Sequence, residues 1–71
     1  MTNELRKYRF LNGQLTQEEV ASRVGVSRQT IIAIERGKYN PSVLLALKLA
    51  RLLNTSVETL FKLEDSDVTS T

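Results

Sequence analysis

The fold is decided by residues 16–37, which read TQEEVASRVGVSRQTIIAIERG. Thr16 and Glu19 have the spacing of a capping box, in which each side chain accepts a hydrogen bond from the backbone N–H of the other residue. Ser27 is typical of a second helix N-cap. Gly25 lies where the chain must leave the first helix with positive φ. The stretch therefore predicts two short helices joined by a tight turn, a helix-turn-helix arrangement.

The second of these helices is predicted to turn a polar face to solvent. Ile31 and Ile34 are three residues apart and are expected to anchor one face in the core. Because an α-helix turns by about 100° per residue, the opposite side then carries positions 28, 29, 32 and 33. Arg28 and Gln29 lead this side. Arg pairs bidentately with guanine O6 and N7, and Gln with adenine N6 and N7, so such a face fits the major groove of DNA.

The rest of the sequence predicts three more helices around this pair. Residues 4–11 form the first, which ends near Asn12 and Gly13. Asn40 is expected to cap the fourth helix, with Pro41 in its first turn. Ser56 caps a fifth helix that runs to about residue 62, and residues 61–63 are an alternative short strand. The buried stripe of the fourth helix is predicted to be Val43, Leu47, Ala50 and Leu53.

These elements predict one small all-α domain. We expect a compact five-helix DNA-binding domain over residues 1–63 and an acidic, polar and flexible tail over residues 64–71. A chain of 71 residues buries only about 60% of its unfolded surface, so its stability is marginal. Self-association or unusually good helix packing is expected for that reason.

The composition excludes several classes of function. The sequence holds no Cys and no His, which excludes disulfides, His/Cys zinc sites and His-based acid–base catalysis. The acidic residues lie at helix caps or in the tail rather than as a catalytic pair, so we expect no catalytic residue, no metal, no cofactor and no enzymatic activity. The longest apolar run, residues 43–47, is far shorter than the roughly 20 residues of a membrane span. No secretory signal pattern is present, and a cytoplasmic location is expected.

The net charge of +2 is unevenly distributed. Three of the eight acidic residues lie in the tail, so residues 1–63 carry ten Lys and Arg against five Asp and Glu, a net charge of +5. A basic body fits an acidic partner such as nucleic acid, although many solvated helix faces are also basic.

The chain resembles the Cro/lambda-repressor-type helix-turn-helix family, often called the XRE family. The matching segments are residues 16–21 (TQEEVA), 25–31 (GVSRQTI), 34–38 (IERGK), 40–42 (NPS), 47–50 (LKLA), 53–54 (LN) and 60–61 (LF). They span most of the chain, from Leu5 to Phe61, in the order and spacing of five helices. The resemblance implies a lambda repressor-like fold and sequence-specific binding of double-stranded DNA by a small transcriptional regulator, most simply a repressor.

The resemblance also implies a role for individual residues. Base edges would be contacted by Arg28, Gln29, Ile32 and Ala33, the last two through thymine methyl groups. The sugar-phosphate backbone would be contacted by Gln17, Ser27, Arg36, Lys38 and Asn40. Members of the family often pair an Arg of the first helix with the Glu of this Ile-Glu-Arg-Gly segment, which implies a pair between Arg9 and Glu35.

Each role has a structural alternative. Gln17 is also a good residue for a helix N-terminus, Ser27 is also a cap, and Ile32 is also a partial core residue. Arg28 and Gln29 are also compatible with an ordinary solvated surface. These alternatives predict the same helices without a nucleic-acid partner.

Surplus leucines on the fourth helix predict a homodimer. The predicted buried stripe leaves Leu44, Leu45 and Leu52 unused, and exposed leucines on one face mark an interaction patch. The predicted interface combines this helix with the fifth and consists of Leu45, Leu52, Val57, Leu60 and Phe61. A two-fold dimer would place two reading helices about 34 Å apart, which predicts a palindromic operator. The alternative is that these leucines pack under the tail or the first helix.

A second function was compatible with the same sequence. A protein-interaction module, such as an antitoxin-like adaptor on the same fold, would use the leucine patch as its primary site. Any regulatory partner protein would be unknown from the sequence. Basic residues around the third helix favour DNA binding over this alternative.

Overall fold

Residues 1–68 are described by the computed structural model, and they form six helices and two short strands. The predicted frayed end at residues 69–71 lies outside the described part. In chain order the elements are β1 (Thr2–Asn3), α1 (Leu5–Leu11), α2 (Gln17–Val24), α3 (Arg28–Glu35), α4 (Val43–Leu52), α5 (Val57–Leu60), β2 (Phe61–Lys62) and α6 (Asp65–Val68).

The helix starts around the central turn follow the predicted capping chemistry. The backbone N–H of Glu19 donates to Thr16 Oγ1 at 3.0 Å, and that of Thr16 donates to Glu19 Oε1 at 2.9 Å, which confirms the capping box. Ser27 Oγ accepts from the N–H of Thr30 at 3.2 Å. Gly25 ends α2 with φ of 79°, a conformation that glycine adopts without steric cost. The sequence therefore sets the boundaries of α2 and α3 locally.

The predicted cap of α4 is wrong. Ser42, not Asn40, is the N-cap, and its Oγ accepts a hydrogen bond from the N–H of Leu45 at 3.1 Å. Pro41 therefore precedes the helix. Asn and Ser are equally good caps, and the later start is the one that puts Leu45 and Leu49 on the core side.

The predicted buried stripe of α4 is also partly wrong. Leu45 and Leu49 are buried, together with Ala46, Ala50 and Leu53. Val43, Leu44 and Leu47 are 77%, 64% and 55% exposed. Because α4 is apolar on almost every side, its sequence satisfies two helical stripes, and packing against α2 and α5 selects between them.

Burial within the single chain corrects most of the predicted dimer interface. Leu45, Leu60 and Phe61 are buried in the core of the single chain, with exposures of 7%, 0% and 8%. A side chain whose surface is already covered cannot be a main contact for a second subunit. Leu52 and Val57 are half-buried at the edge of the core, so they remain accessible.

The two ends of the described chain meet in a small antiparallel pair. Thr2 pairs with Lys62 and Asn3 with Phe61, so α5 stops at Leu60 and the alternative strand after it is confirmed. This sheet is the only non-helical addition to the all-α prediction within residues 1–68. A sixth helix, α6, covers Asp65–Val68 of the predicted tail, and its Asp67 lies 2.7 Å from the Met1 ammonium.

Among residues 1–68, no helix is both long and apolar enough to cross a bilayer.

Candidate nucleic-acid interface

The central turn fixes α3 against α2 and leaves one side of α3 uncovered. Ile31 and Ile34 are 0% and 1% exposed and anchor α3 in the core, as predicted. The N–H of Val26 donates to the carbonyl of Ala21 at 3.0 Å and closes the turn. α2 and α3 form the most extensive helix pair of the fold. Buried apolar contacts therefore set much of the angle of α3 against α2.

The outer side of α3 carries the residues predicted to contact base edges. Arg28 and Gln29 are exposed at its N-terminal turn. Ile32 and Ala33 are half-buried further along. The partial burial of Ile32 is compatible both with a contact to a thymine methyl and with a supporting role in packing. The structure brings the four residues onto one side, with the two polar residues at its leading end.

A buried ion pair joins α1 to the end of α3. Arg9 Nε donates to Glu35 Oε2 at 2.6 Å and Arg9 Nη2 to Glu35 Oε1 at 3.2 Å, and both side chains are 9% exposed. The pair implied by the family resemblance is therefore confirmed. Arg9 Nη1 also donates to the carbonyl of Leu15 at 2.8 Å. These three hydrogen bonds of Arg9 fix α1, the turn after it and α3 relative to one another.

Gln17 is attached to the same ion pair. Its Nε2 donates to Glu35 Oε1 at 3.1 Å. This contact braces the start of α2 against the end of α3, whereas the contact of Gln17 with a phosphate stays a prediction. One of the two amide hydrogens is used by Glu35, which leaves the second for another acceptor.

The residues after α3 that are predicted to contact the sugar-phosphate backbone of DNA lie on one exposed turn. Arg36 is the C-cap of α3, and Gly37 follows with φ of 72°. The N–H of Lys38 donates to the carbonyl of Ala33 at 2.9 Å, which folds the turn back over the helix end. The side chains of Arg36, Lys38 and Asn40 are exposed. Contact of these three side chains with DNA stays a prediction.

A cleft runs between α1 and α3 beside these residues. It is open to solvent, has a volume of about 820 Å³, and is lined by residues that include Arg6, Phe10, Gln14, Gln17, Arg28 and Arg36. Sequence reasoning missed the first three. Arg6 and Phe10 are four residues apart on α1 and therefore share a face. This spacing, together with the implied pairing of Arg9 with Glu35, is the sequence signal that could have identified Arg6 and Phe10.

The acid–base properties of this region have one resolved feature. The backbone N–H and the hydroxyl of Thr16 hold the pKa of Glu19 below its ordinary value, because hydrogen bonds to the Glu19 carboxyl group favour its charged form. In the described residues, no cluster of three or more Asp and Glu side chains is arranged to hold a metal ion.

Sequence comparison places the same segment in a family. Residues 5–60 match the family model described as helix-turn-helix. An uncharacterised HTH-type transcriptional regulator of Methanocaldococcus jannaschii is 52% identical over 67 residues, which cover 94% of this chain and 100% of that protein. An uncharacterised HTH-type transcriptional regulator of Bacillus subtilis is 42% identical over 67 residues, with the same coverage of both chains.

Solved structures share the fold. The restriction-modification controller protein C.AhdI of Aeromonas hydrophila superposes with a TM-score of 0.71 at 38% identity, over 80% of this chain and 85% of that one. A chain from the complex of the SinR and SinI proteins superposes with a TM-score of 0.73 at 30% identity, over 93% of this chain and 64% of that one. Both confirm the lambda repressor-like arrangement of the helices.

Proposed function

Since this chain belongs to the XRE-type helix-turn-helix family of transcriptional regulators, we propose that it is a cytoplasmic, sequence-specific repressor that binds double-stranded DNA as a homodimer. In this proposal α3 enters the major groove of each half-site. The two half-sites form a palindrome with centres about 34 Å apart, one turn of the duplex.

One observation carries the proposal. Ile31 and Ile34 are fully enclosed while Arg28 and Gln29, on the same helix, are exposed. An Arg and a Gln at the leading end of a rigidly held helix have the donor and acceptor pattern that distinguishes guanine and adenine in the major groove. The contact residues proposed for bases are Arg28, Gln29, Ile32 and Ala33.

The backbone contacts proposed around α3 would set its register on the duplex. The free amide hydrogen of Gln17 lies at the first turn of α2, where unsatisfied backbone N–H groups also favour an anion. Arg36 and Lys38 follow the other end of α3. Ser27 and Asn40 complete the proposed set. Because Glu35 holds both Gln17 and Arg9, the phosphate contacts and the reading helix would move as one body.

The proposed dimer contact uses an accessible ridge of α4 and not its buried face. Leu44, Lys48 and Leu52 are spaced four residues apart, so they form one ridge along the helix. Leu44 is 64% exposed, and Leu52 is half-buried. Val57 extends this apolar surface onto α5. A stable two-fold contact needs about 800 Å² from each partner, which this ridge and its neighbours would have to supply.

A second candidate function is a protein-interaction module on the same fold. The exposed side chains of Val43 and Leu47 lie on α4, on the other side of Leu44 from Leu52, and would be its docking residues. A chain of similar structure occurs in a complex between the SinR and SinI proteins. A stoichiometric protein partner together with no salt-sensitive DNA binding would favour this candidate.

The test of the proposed function is a salt titration of DNA binding. Duplexes selected from a random pool are bound at several concentrations of potassium chloride, with fluorescence anisotropy as the readout. The logarithm of the association constant should fall linearly with the logarithm of salt, by about 0.9 for each phosphate neutralised. Absence of binding at low salt would overturn the proposal.

A further inference from the structure

We propose that Arg6 of α1 is a further contact to the DNA backbone, in addition to the residues of the helix-turn-helix segment. The inference rests on the proposed function of α3. It assigns the cleft between α1 and α3 to one occupant, the sugar-phosphate backbone of the bound duplex.

The position of Arg6 supports this assignment. Arg6 lines the same cleft as Arg28 and Arg36, which come from the two ends of α3. α1 therefore forms one wall of the cleft and α3 the other. In the proposed complex, the phosphate strand that flanks the major groove beside Arg28 would run along the open mouth of this cleft. Arg6 is exposed on the opposite wall, from which it would reach that strand.

The charge of the cleft is complementary to a phosphate strand. Arg9 and Glu35 neutralise each other in their ion pair. Among residues 1–68, no acidic side chain lies within ion-pair distance of Arg6, Arg28 or Arg36. Three unpaired guanidinium groups against Glu18, the remaining acidic residue of the lining, leave the cleft cationic. A polyanion gains most from such a concentration of positive charge.

The side chain of Phe10 makes a weak cation–π contact with Arg6. The guanidinium carbon of Arg6 lies 5.9 Å from the centroid of the Phe10 ring, and that of Arg9 lies 5.6 Å from the same centroid. Arg9 is immobilised by its hydrogen bonds to Glu35 and Leu15. A cation held over an aromatic face loses less freedom when it binds a phosphate. The five donors of Arg6 stay available, since no hydrogen bond among the described residues uses them.

Arg6 would act on affinity and not on sequence choice. A guanidinium that touches only a phosphate neutralises one charge and has no contact with a base edge. Its removal should weaken binding to every sequence by the same factor and lower the slope of the salt dependence by about one unit. This outcome differs from the one expected of Arg28 and Gln29.

The test compares two variants with the same change of charge. Arg6→Ala and Lys7→Ala each remove one positive charge from α1, but Lys7 is absent from the cleft lining and lies 3.5 Å from Glu4. Affinities for a selected duplex and for an unrelated duplex are measured at several salt concentrations. Arg6→Ala should lower both affinities equally and reduce the salt slope by about one unit, and Lys7→Ala should change the slope by much less. Arg6→Lys should restore most of the slope.

Phosphate substitution identifies the contact itself. In a series of duplexes, one phosphate at a time is replaced by an uncharged methylphosphonate. At one position the replacement should weaken binding of the unsubstituted protein and leave binding of Arg6→Ala unchanged. If Arg6→Ala and Lys7→Ala change the affinity and the salt slope alike, the inference is wrong while the proposed function stands. The same conclusion follows if every methylphosphonate that weakens binding of the unsubstituted protein also weakens binding of Arg6→Ala. If Arg6→Ala changes sequence preference, Arg6 is not a backbone contact. If the unsubstituted protein binds no DNA, the proposed function fails together with the inference.

Discussion

Arg9 and Glu35 connect the first helix to the last residue of the reading helix through two hydrogen bonds of 2.6 and 3.2 Å. Glu35 also accepts the amide of Gln17 at the start of α2. Three helices therefore meet at one carboxylate, which is almost enclosed. The geometry of the proposed DNA-binding surface depends on this contact, although neither Arg9 nor Glu35 is proposed to touch a base.

Breaking this ion pair should cost more stability than breaking an exposed one. Arg9→Ala leaves the Glu35 carboxylate enclosed without its main partner, and we expect a loss of about 3 kcal/mol in the free energy of unfolding. Lys7→Ala removes an exposed ion pair with Glu4 and a contact with the ring of Tyr8, for a loss of less than about 1 kcal/mol. Urea denaturation monitored by circular dichroism measures both. Equal losses would show that the pair does not support the fold.

The face of α4 that is buried in the core can be tested by substituting two leucines of this helix. Leu49 is 0% exposed and Leu47 is 55% exposed. Leu49→Ala should destabilise the protein by about 2–5 kcal/mol, because it leaves a cavity in the core. Leu47→Ala should change stability by about 0.5 kcal/mol or less. The reverse order in thermal or urea denaturation would mean that the stripe predicted from the sequence is the buried one.

The proposed dimer ridge can be tested with two matched pairs of substitutions. Leu44→Lys combined with Leu52→Lys should give a folded monomer in sedimentation velocity, with weakened operator binding. Val43→Lys combined with Leu47→Lys removes two apolar side chains from the same helix and should leave the dimer intact. Because Leu52 is half-buried, Leu44→Lys alone serves as a variant that preserves the core.

A different result would redirect the dimer proposal. If the pair at Val43 and Leu47 dissociates the protein and the pair at Leu44 and Leu52 does not, the interface lies on the other side of the exposed face. If the unsubstituted protein is monomeric at the concentrations at which it binds the operator, the dimer proposal is wrong.

The turn after α3 should contribute affinity without selectivity. Arg36→Ala and Lys38→Ala are each expected to weaken binding to selected and unrelated duplexes by the same factor, since a phosphate contact carries no sequence information. Arg51→Ala, which removes an exposed charge from the end of α4, is the control. Electrophoretic mobility shifts with two competitor DNAs measure the ratio of the affinities for the selected and the unrelated duplex. A change in this ratio would place Arg36 or Lys38 at base edges instead.

The capping box makes a predictable contribution to the pH dependence of stability. Hydrogen bonds from Thr16 lower the folded-state pKa of Glu19 below its ordinary value of 4.5. The stabilisation is therefore complete above pH 4.5 and is lost as the pH falls through the folded-state pKa. Glu19→Gln keeps an acceptor for the N–H of Thr16 but has no charge to titrate.

The measurement is urea denaturation of both proteins between pH 7 and pH 3. The unsubstituted protein should lose more stability below pH 4.5 than Glu19→Gln, and the difference between the two curves isolates Glu19 from the other carboxyl groups. Parallel curves over the whole range would show that the hydrogen bonds do not persist in solution.

The parts of the fold that the sequence predicts are those controlled by local chemistry. A Thr and a Glu three residues apart form a capping box wherever they start a helix, and Gly25 supplies a positive φ that most residues adopt at a cost. Ile31 and Ile34 set the orientation of α3 because they share one face, while Arg28 and Gln29 make the leading end of the opposite side polar. The Arg9–Glu35 pair was implied by resemblance and not by pattern.

The parts that the sequence did not predict depend on tertiary contacts. Residues 43–52 read VLLALKLARL, and a helix that is apolar on nearly all sides carries no periodic signal to fix its phase. Strands of two residues, such as β1 and β2, are too short to show alternation. Asn40 and Ser42 are both good caps, and only the packing of Leu45 and Leu49 decides between them. The cleft wall formed by Arg6 and Phe10 exists only once α1 lies across from α3.

The most direct test of the central claim is selection of duplexes from a random library at a stated salt concentration. The selection is carried out with the unsubstituted protein and with Arg28→Ala and Gln29→Ala. We expect a palindrome with half-sites about one turn apart. Each variant should lose its preference at one base pair per half-site, a loss worth about 1–3 kcal/mol. If both variants select the same sequence with the same stringency as the unsubstituted protein, α3 does not read DNA in the way proposed.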